Sequence, residues 1–364
     1  MSLTEREREI VALLRRDPLI GSAALAAALG TTRAAVNVHL SNLGKKGVIL
    51  GRGYVLSEEP SVVVVGGANV DVKARSGAAM VPATSNPGTG SMAPGGVGRN
   101  IAENLARLGT RTHLVAAVGS DGLGDQVLAA TSAAGVHVEH VRRSARSTGT
   151  YTAVLDADGE LVVAVSDMAA TDELAPEHLD AARDLISSAE LLVLDGNLAP
   201  DTIGFALDLA ASTGTRVVLE PVSVPKAAAR AHLLTPDRPV HVVTPNRDEL
   251  EALAGLPTRT ARQVERAARS LHDRGVELVW VRLGADGSLL ATRDRLTRSA
   301  ALPAEVADVT GAGDAMLAGF CHALLRGADT YDAAAYGHAA AALTVASPHT
   351  VRPDLTDRLV RSLL

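Results

Sequence analysis

A glycine-rich segment with an acidic residue at each end, Asp308-Val-Thr-Gly-Ala-Gly-Asp314, is the part of this sequence best suited to chemistry. It leads directly into an apolar, helix-like stretch from Ala315 to Leu325. Successive backbone N–H groups at such a helix start form a positive nest, which suits the charge on a transferring phosphoryl group. Asp314 is placed to take the proton of an attacking hydroxyl; the alternative is that it only caps the helix.

A second polar set follows the first strand-like run of the longer part of the chain. The run Val62–Val65 is followed by Gly66-Gly-Ala-Asn-Val-Asp71. Ligands of an open α/β sheet bind outside the carboxyl ends of its strands, so we expect Asn69 and Asp71 to meet a substrate. Asp71 can accept hydrogen bonds from two sugar hydroxyls, and the alternative is a turn aspartate that binds its own backbone.

The segment Pro94-Gly-Gly-Val-Gly-Arg-Asn100 opens an amphipathic helix that stops at Gly109. Glycines at a helix entrance let a ligand approach the backbone closely, and Asn100 projects from the first turn. Asn246-Arg-Asp-Glu249 likewise follows a strand and opens a helix. Its oxygen ligands suit Mg²⁺ held through water, although an ordinary helix cap has the same pattern.

Strand and helix signals alternate along the rest of the chain, and almost every strand ends in a polar residue or glycine. The strands are Leu191–Leu194, Val217–Leu219, Val242–Thr244 and Val279–Leu283. Repeated βα units predict a doubly wound, mostly parallel sheet whose polar groups converge on one edge. The stretches 148–156 and 159–166 alternate in the way that predicts a β-hairpin.

The composition favours a reduced, cytoplasmic protein with two domains. The chain has 364 residues, 47% of them apolar, and a single cysteine, Cys321, which cannot form an internal disulfide. No apolar run reaches the length of a membrane span, and the N-terminus lacks the apolar core of a signal peptide. We predict domains at residues 1–57 and 61–364.

The N-terminal part reads as a winged helix-turn-helix. Thr4 with Glu7 forms a capping-box pattern for a first helix that stops at Asp17. Ser22 is the expected cap of a second helix, and Thr31-Thr32 start a third. The residues 47–56 then read as two short strands around a Gly-Arg-Gly turn, the predicted wing.

The N-terminal module is the basic part of an otherwise acidic chain. Residues 1–56 carry eight Lys/Arg and four Asp/Glu, a net charge of +4, within a chain of net charge −6. DNA is therefore a predicted partner, and a solvated packing or dimerisation module is the alternative. The candidate DNA-binding residues are Arg33, Asn37 and His39 for base edges and Lys45, Lys46 and Arg52 for phosphates.

The motifs Gly66–Asp71, Gly95–Asn100 and Asp308–Asp314 together resemble the ribokinase (PfkB) family of carbohydrate and nucleoside kinases over residues 62 to about 350. The resemblance implies a ribokinase-like fold, ATP and Mg²⁺ as cofactors, a monovalent cation such as K⁺, and a homodimer. It implies that the predicted hairpin belongs to a small β-sheet lid that excludes water. It further implies that Asp314 is the base and that the anion hole consists of Gly311, Ala312 and Gly313. It also implies site residues. The sugar would be held by Asn69, Asp71, Gly95, Gly96, Asn100, Thr150 and Asp308; the nucleotide by Asn246, Arg282, Gly284, Gly287 and Thr310; and metal ions by Glu249, Asp308, Val309 and Ser347.

Within this family, the first two motifs and the stretch Thr148–Leu155 look like those of pseudouridine kinases, which phosphorylate the ribose 5′-hydroxyl. Asn86, Thr150 and Asp167-Met168 are lid candidates for reading the uracil. Two alternatives to a pseudouridine kinase stay open. The first is another nucleoside or sugar kinase of the family, and the second is a transcriptional regulator in which the kinase fold senses a ligand.

Overall fold

The computed structural model describes residues 3–51 and 60–364, which fall into two units, Met1–Glu59 and Pro60–Leu364. The described part of the first unit has three helices: α1 (Glu5–Arg16), α2 (Ser22–Ala28) and α3 (Arg33–Lys45). Their apolar faces meet in a small core of Ile10, Leu14, Leu25, Val36 and Leu43.

The predicted helix starts of this unit are correct at two of three places. Thr4 and Glu7 form the capping box of α1, and Thr32 caps α3. The prediction for Ser22 is wrong, because Gly21 is the N-cap of α2 and Ser22 is its first residue. Residues 52–56 of the predicted wing lie outside the described residues.

In the second unit, residues 60–364 contain fourteen strands. They are β1 (Ser61–Val65), β2 (Asn69–Ser76), β3 (Gly88–Gly95), β4 (Arg111–Val115), β5 (Ala117–Gly119), β6 (Arg142–Ser144), β7 (Gly149–Leu155), β8 (Leu161–Asp167), β9 (Leu191–Asp195), β10 (Arg216–Glu220), β11 (Val240–Val243), β12 (Val276–Arg282), β13 (Ser288–Ala291) and β14 (Leu296–Ser299).

The same residues contain twelve α-helices. They are α4 (Val97–Arg107), α5 (Gly122–Ala133), α6 (Ala169–Asp172), α7 (Pro176–Ala181), α8 (Arg183–Ser188), α9 (Pro200–Thr213), α10 (Val224–Arg230), α11 (Arg247–Ala254), α12 (Ala261–His272), α13 (Ala312–Leu325), α14 (Thr330–Val345) and α15 (Asp357–Arg361). Two 3₁₀ turns lie at Ala231–Leu233 and Gly284–Asp286.

Eight strands of residues 60–364 form one sheet in the order β14-β13-β12-β11-β10-β9-β1-β4, parallel from β4 to β12 and antiparallel beyond. Helices cover both faces. In β1, Val63 and Val65 enter one core while Val62 and Val64 enter the other, which explains the uninterrupted apolar run. The structure thus confirms the doubly wound, mostly parallel sheet.

A separate four-stranded sheet, in the order β3-β2-β7-β8, is the predicted lid. The hairpin expected from the alternating pattern is β7 and β8, which pair antiparallel. Asn69, Asp71 and Lys73 alternate along β2 and therefore share one face of this sheet. The lid thus carries one of the predicted polar sets.

Among the described residues, every helix is too short or too polar to cross a membrane.

Candidate active site

Asp195, the last residue of β9, links two segments by hydrogen bonds at the carboxyl end of the main sheet. Its Oδ2 accepts hydrogen bonds from the backbone N–H groups of Gly67 and Gly98, both at 2.7 Å. A Cβ on Gly66 would lie 2.2 Å from this oxygen, so only glycine fits there. The Asp195 side chain is fully buried, and burial raises its pKa. Asp195 thereby joins the turn after β1 to the start of α4.

The three residues predicted to form an anion hole lie at the start of α13. Gly311 is the N-cap with φ +78°, a backbone conformation that favours glycine, and a Cβ there would lie 2.0 Å from Thr350 O. Ala312 and Gly313 form the first turn. A Cβ on Gly313 would lie 2.5 Å from Nη1 of Arg282, so this guanidinium lies directly against the turn. Backbone donors and one cation therefore meet at a single place.

Asp314 follows within the same turn and is surrounded by protein, although the cleft reaches it. Burial raises the pKa of Asp314 to about 7. The hydrogen bond from Asn100 and the charge of Arg282 lower this pKa, while Glu220 and Asp195 raise it. A carboxylate with a pKa near neutrality can both take and release a proton, which suits a general base.

Asn69, Asp71 and Asn100 of the predicted sugar-binding set form hydrogen bonds with other residues of the site. Asn100 Nδ2 donates to Asp314 Oδ2 at 2.9 Å, and Asn69 Nδ2 donates to Asp71 Oδ1 at 2.9 Å. A Cβ on Gly95 would lie 2.4 Å from the Asp71 carboxyl group, so this group lies on the Gly95 backbone. Burial raises the pKa of Asp71.

Gly96 holds the turn before α4 in place. It is the N-cap of this helix with φ +98°, and a Cβ there would lie 2.4 Å from Gly67 O. The helix start therefore lies against the turn after β1.

Two lid residues are not placed as the sequence suggested. Thr150 is paired with Val70, so it lies on the face of the lid opposite to Asp71, which is paired with Tyr151. Asn86 uses its side-chain amide within its own loop, bonded to Val81 and Thr84. Thr150 therefore faces away from Asn69 and Asp71. The side-chain amide of Asn86 is already hydrogen-bonded within its own loop.

Asn246 and Glu249 form a helix cap, the alternative that the sequence left open. Asn246 Oδ1 accepts from the backbone of Asp248 and Glu249, and Glu249 Oε2 accepts from the backbone of Asn246 at 2.8 Å. The Glu249 side chain is buried and its pKa is raised by burial. The sequence pattern of a capping box and that of a metal site coincide here.

Arg282 is the centre of a buried charge cluster below the anion hole. Its Nη2 lies 2.6 Å from Glu220 Oε1 and 3.4 Å from Glu249 Oε2. Two carboxylates and one guanidinium leave one negative charge next to the nest. This donor set fits Mg²⁺ held through water, because both carboxylates already have partners in the protein.

The remaining predicted metal ligands lie at the loop before α13. The Asp308 carboxylate accepts from the backbone and hydroxyl of Thr310 and forms an ion pair of 2.9 Å with Lys73 of the lid. Ser347 accepts from the backbone of His349, and Val309 is exposed. These side chains are apolar or already have hydrogen-bond or ion-pair partners, so a monovalent cation fits here only through backbone oxygens.

One other group in the described part of the chain brings three possible metal ligands within 4.8 Å of one another: His113, His137 and Glu139. It lies at the edge strand β4 and shares no residue with this cleft.

A cavity of about 590 Å³ adjoins the anion hole. Arg282, Gly284 and Gly287 of the predicted nucleotide set line one side of it together with Gly313, whereas Asn246 and Thr310 of that set are not among its lining residues. Gly287 has φ +83°, and a Cβ there would lie 1.9 Å from Ser299 O. The other walls are mostly aliphatic: Leu302, Pro303, Val306, Val309, Met316, Ala341, Ala342 and Val345. The cavity has the size and apolar character of a small-molecule site.

The helical unit presents only some of the predicted DNA-binding residues. Arg33, Asn37 and Lys45 are exposed on α3, and Arg33 donates to Ser22 at 3.0 Å. Lys46 forms an ion pair of 2.6 Å with the buried Glu7, and His39 Nδ1 is enclosed. Arg52 lies outside the described residues. Of the predicted set, Arg33, Asn37 and Lys45 are therefore exposed, while His39 and Lys46 are partly buried.

Comparison with known families agrees with this geometry. The profile of the pfkB family of carbohydrate kinases matches residues 59–357. The chain belongs to this family. A second profile, for winged helix-turn-helix DNA-binding domains, matches residues 3–49. The chain is thus a sugar or nucleoside kinase of the pfkB family, a phosphotransferase with an alcohol group as acceptor, with an N-terminal winged helix-turn-helix.

Curated relatives of this pfkB kinase include two from Escherichia coli. An uncharacterized sugar kinase, YeiI, is 35% identical over 97% of this chain and 97% of its own length. A pseudouridine kinase is 33% identical over 85% of this chain and 98% of its own length. Among solved structures, Arabidopsis thaliana ribokinase complexed with ribose and ATP superposes with a TM-score of 0.74 at 26% identity, covering 84% and 99% of the two chains.

Sequence reasoning missed three groups of this pfkB kinase site. Asp195 and Glu220 are covered only by the general pattern that strands end in polar residues, and the sequence analysis singles out neither of them nor Lys73. The shared signal for the first two is an acidic residue directly after a buried strand, which is where a parallel sheet places its ligand-binding groups. Lys73 had no signal beyond its position two residues after Asp71 on the same strand face.

Proposed function

We propose that this chain is an ATP-dependent pseudouridine kinase that phosphorylates the ribose 5′-hydroxyl, with Asp314 as the base. The observation that carries the proposal is the position of Asp314: it lies in the first turn of α13, beside the glycine nest, with a pKa near 7. The Escherichia coli and Arabidopsis thaliana relatives named pseudouridine kinase, 33% and 30% identical, support the choice of substrate.

In the proposed reaction, the ribose is held by Asn69 and Asp71 so that its 5′-hydroxyl points at Asp314. Asp314 accepts the hydroxyl proton as the oxygen attacks the γ-phosphorus in line, and ADP leaves. The backbone N–H groups of residues 311–313 and the Arg282 guanidinium stabilise the charge on the transferring group. Mg²⁺, when bound with ATP, neutralises the phosphate charges, and a K⁺ ion near residues 308–309 and 347 would support the loop through backbone oxygens.

The adenine would lie in the apolar cavity beside α13, because this cavity begins at the anion hole. Its aliphatic walls, Leu302, Val306 and Met316 among them, suit a flat aromatic base. The polar end of the cavity, at Arg282 and Gly313, then receives the phosphates.

Tyr151 is the lid residue that we propose contacts the uracil. It is paired with Asp71, so it lies on the same face of the lid, and its side chain is 37% exposed. An exposed ring beside the sugar site offers a stacking surface for a base, worth ~1–3 kcal/mol. We expect Tyr151→Ala to raise KM for pseudouridine by roughly 10-fold to 100-fold. The KM for ATP, measured in the same ADP-release assay, should stay within about twofold, and an equal rise in both constants would contradict the assignment.

The product tests the reaction directly. Incubation with Mg-ATP and pseudouridine, followed by phosphorus NMR, is expected to show a new monoester whose phosphorus couples to the C5′ protons. A phosphate on another hydroxyl, or ATP hydrolysis without an acceptor product, would contradict the proposal.

A second function, DNA binding, is supported by the winged helix-turn-helix profile and by the exposed polar residues of α3. We expect the full chain to bind a fluorescent 30-base-pair duplex, and its affinity for the duplex should fall as the salt concentration is raised. Lys45→Gln should lower the affinity for DNA, and the slope of the logarithm of the affinity against the logarithm of the salt concentration should become shallower by about one. The matched control is Arg16→Gln, which removes an exposed charge from α1. Equal effects of the two substitutions would mean that α3 is not the binding face.

A further inference from the structure

Arg99, the residue before Asn100 in α4, has no role in the reaction described above. It is 3% exposed. Its Nη1 donates to Pro94 O at 2.6 Å and to Asn100 Oδ1 at 3.0 Å, and its Nη2 forms an ion pair with Glu103. Three partners hold this buried guanidinium in one position.

Arg99 decides which way the Asn100 amide faces. A guanidinium only donates hydrogen bonds, so the Asn100 atom next to it must be the carbonyl oxygen. The amide nitrogen is thereby turned towards Asp314, to whose Oδ2 it donates at 2.9 Å. Without Arg99 the amide can rotate by half a turn, because its oxygen and nitrogen have almost the same shape. The rotated amide would set an oxygen against the carboxylate, and two acceptors repel each other.

We propose that Arg99 is a positioning residue that fixes the Asn100 amide, so that one oxygen of Asp314 stays hydrogen-bonded and the other is available to take the substrate proton. The inference rests on the kinase reaction proposed above, since it concerns the same base. It explains why a buried arginine lies behind the substrate cleft, where a charge is costly to bury.

Other charged groups also face Asp314, and their effects on its pKa have to be distinguished from the effect of Arg99. They are Glu220 at the end of β10, Arg282 at the end of β12 and Asp195 at the end of β9. Arg99 itself interacts electrostatically with Asp314. Removing its charge therefore raises the pKa of Asp314 directly as well as through Asn100, and the experiment must distinguish these two routes.

The chain offers a matched pair of variants. Glu103 has a second cation, Arg107, at 2.6 Å, so Arg99→Met does not leave this buried carboxylate unpaired. Arg107→Met removes the other partner of the same carboxylate without touching Asn100. Both variants disturb the same ion-pair network in α4, and only the first reaches the amide.

The experiment is the pH dependence of kcat for the full chain, between about pH 5 and pH 9, with Mg-ATP and pseudouridine. Wild type should lose activity below about pH 7, where Asp314 becomes protonated. In Arg99→Met we expect the midpoint to move up by roughly one pH unit, a loss of about tenfold on the acid side. Arg99→Lys should show a smaller shift, and Arg107→Met none.

A double-mutant cycle separates the two routes. In an Asn100→Ala background, Arg99→Met should move the midpoint by clearly less than in the wild-type background, because only the direct effect of the charge remains once the amide is gone. An equal shift with and without Asn100 would show that Arg99 acts by charge alone. An unshifted midpoint in an active Arg99→Met protein would overturn the inference outright.

A measurement without turnover keeps the inference testable if the kinase assignment fails. Carbon NMR of aspartate-labelled protein, with the Asp314 resonance assigned by its absence in Asp314→Asn, measures the titration midpoint of Asp314 without turnover, and we expect this midpoint to be higher in Arg99→Met than in wild type. No phosphoryl transfer to pseudouridine by wild type would count against the proposed function only. If Arg99→Met does not fold, Arg99→Lys takes its place, and an unshifted Asp314 resonance in that variant would contradict the inference.

Discussion

Replacing Asp314 by asparagine is expected to lower kcat by roughly 10³-fold, because the variant has no base to take the proton of the attacking hydroxyl. Asparagine has the same shape, and its amide oxygen can still accept the hydrogen bond from Asn100. The fold and the affinity for ATP should therefore change little. Steady-state kinetics give the loss in kcat, and thermal unfolding together with calorimetric titration of ATP gives the other two quantities.

The control for this substitution is Asp332→Asn, which removes an exposed carboxylate from the first turn of α14. It should leave kcat within about twofold, since surface substitutions of this kind have small effects. Turnover of Asp314→Asn within tenfold of wild type would show that another group is the base.

Gly311→Ala is expected to have the second largest effect, on both turnover and stability. The new methyl group would lie 2.0 Å from Thr350 O in a backbone conformation of φ +78°. The loop before α13 has to move, and the N–H groups of the nest move with it. We expect kcat to fall at least roughly 100-fold, as for the loss of an oxyanion-hole donor, and the free energy of unfolding to fall by about 2–4 kcal/mol.

The control variant Gly327→Ala distinguishes the effect of backbone strain from the effect of the steric clash with Thr350 O. Gly327 has a similar φ of +86°, but a Cβ there meets nothing within 4 Å. This variant should lose about 1 kcal/mol of stability and keep its kcat. If both variants lose the same stability and Gly311→Ala keeps its activity, the nest is not needed for turnover.

Local patterns predicted much of the fold and the centre of the site. The valine run of β1 predicted a strand buried on both faces, and the alternation in residues 148–166 predicted the lid hairpin. The segment Asp308–Asp314 predicted the helix start that the structure has in α13, and its roles as anion hole and base stay predictions. In each case the signal lies within about ten consecutive residues, where helix caps, strand alternation and glycine positions are readable.

The features that the sequence did not predict depend on strand pairing and on long-range contacts. Thr150 was chosen by its neighbours in the chain, but the pairing of β7 with β2 puts Tyr151 beside Asp71. The ion pair between Lys73 and Asp308 joins residues 235 positions apart. The capping box of Asn246 and Glu249 shows a further limit, since the same residue types at the same spacing serve a helix start and a metal ion.

The most direct test of the whole account is to compare the specificity constants of the wild-type chain for pseudouridine and uridine in a coupled ADP-release assay with Mg-ATP. The two nucleosides differ only in the atom through which uracil joins the ribose, so a preference between them reports on base recognition by the lid. We expect kcat/KM for pseudouridine to exceed that for uridine by at least roughly 100-fold. Equal constants, or a larger constant for uridine or free ribose, would contradict the proposed substrate.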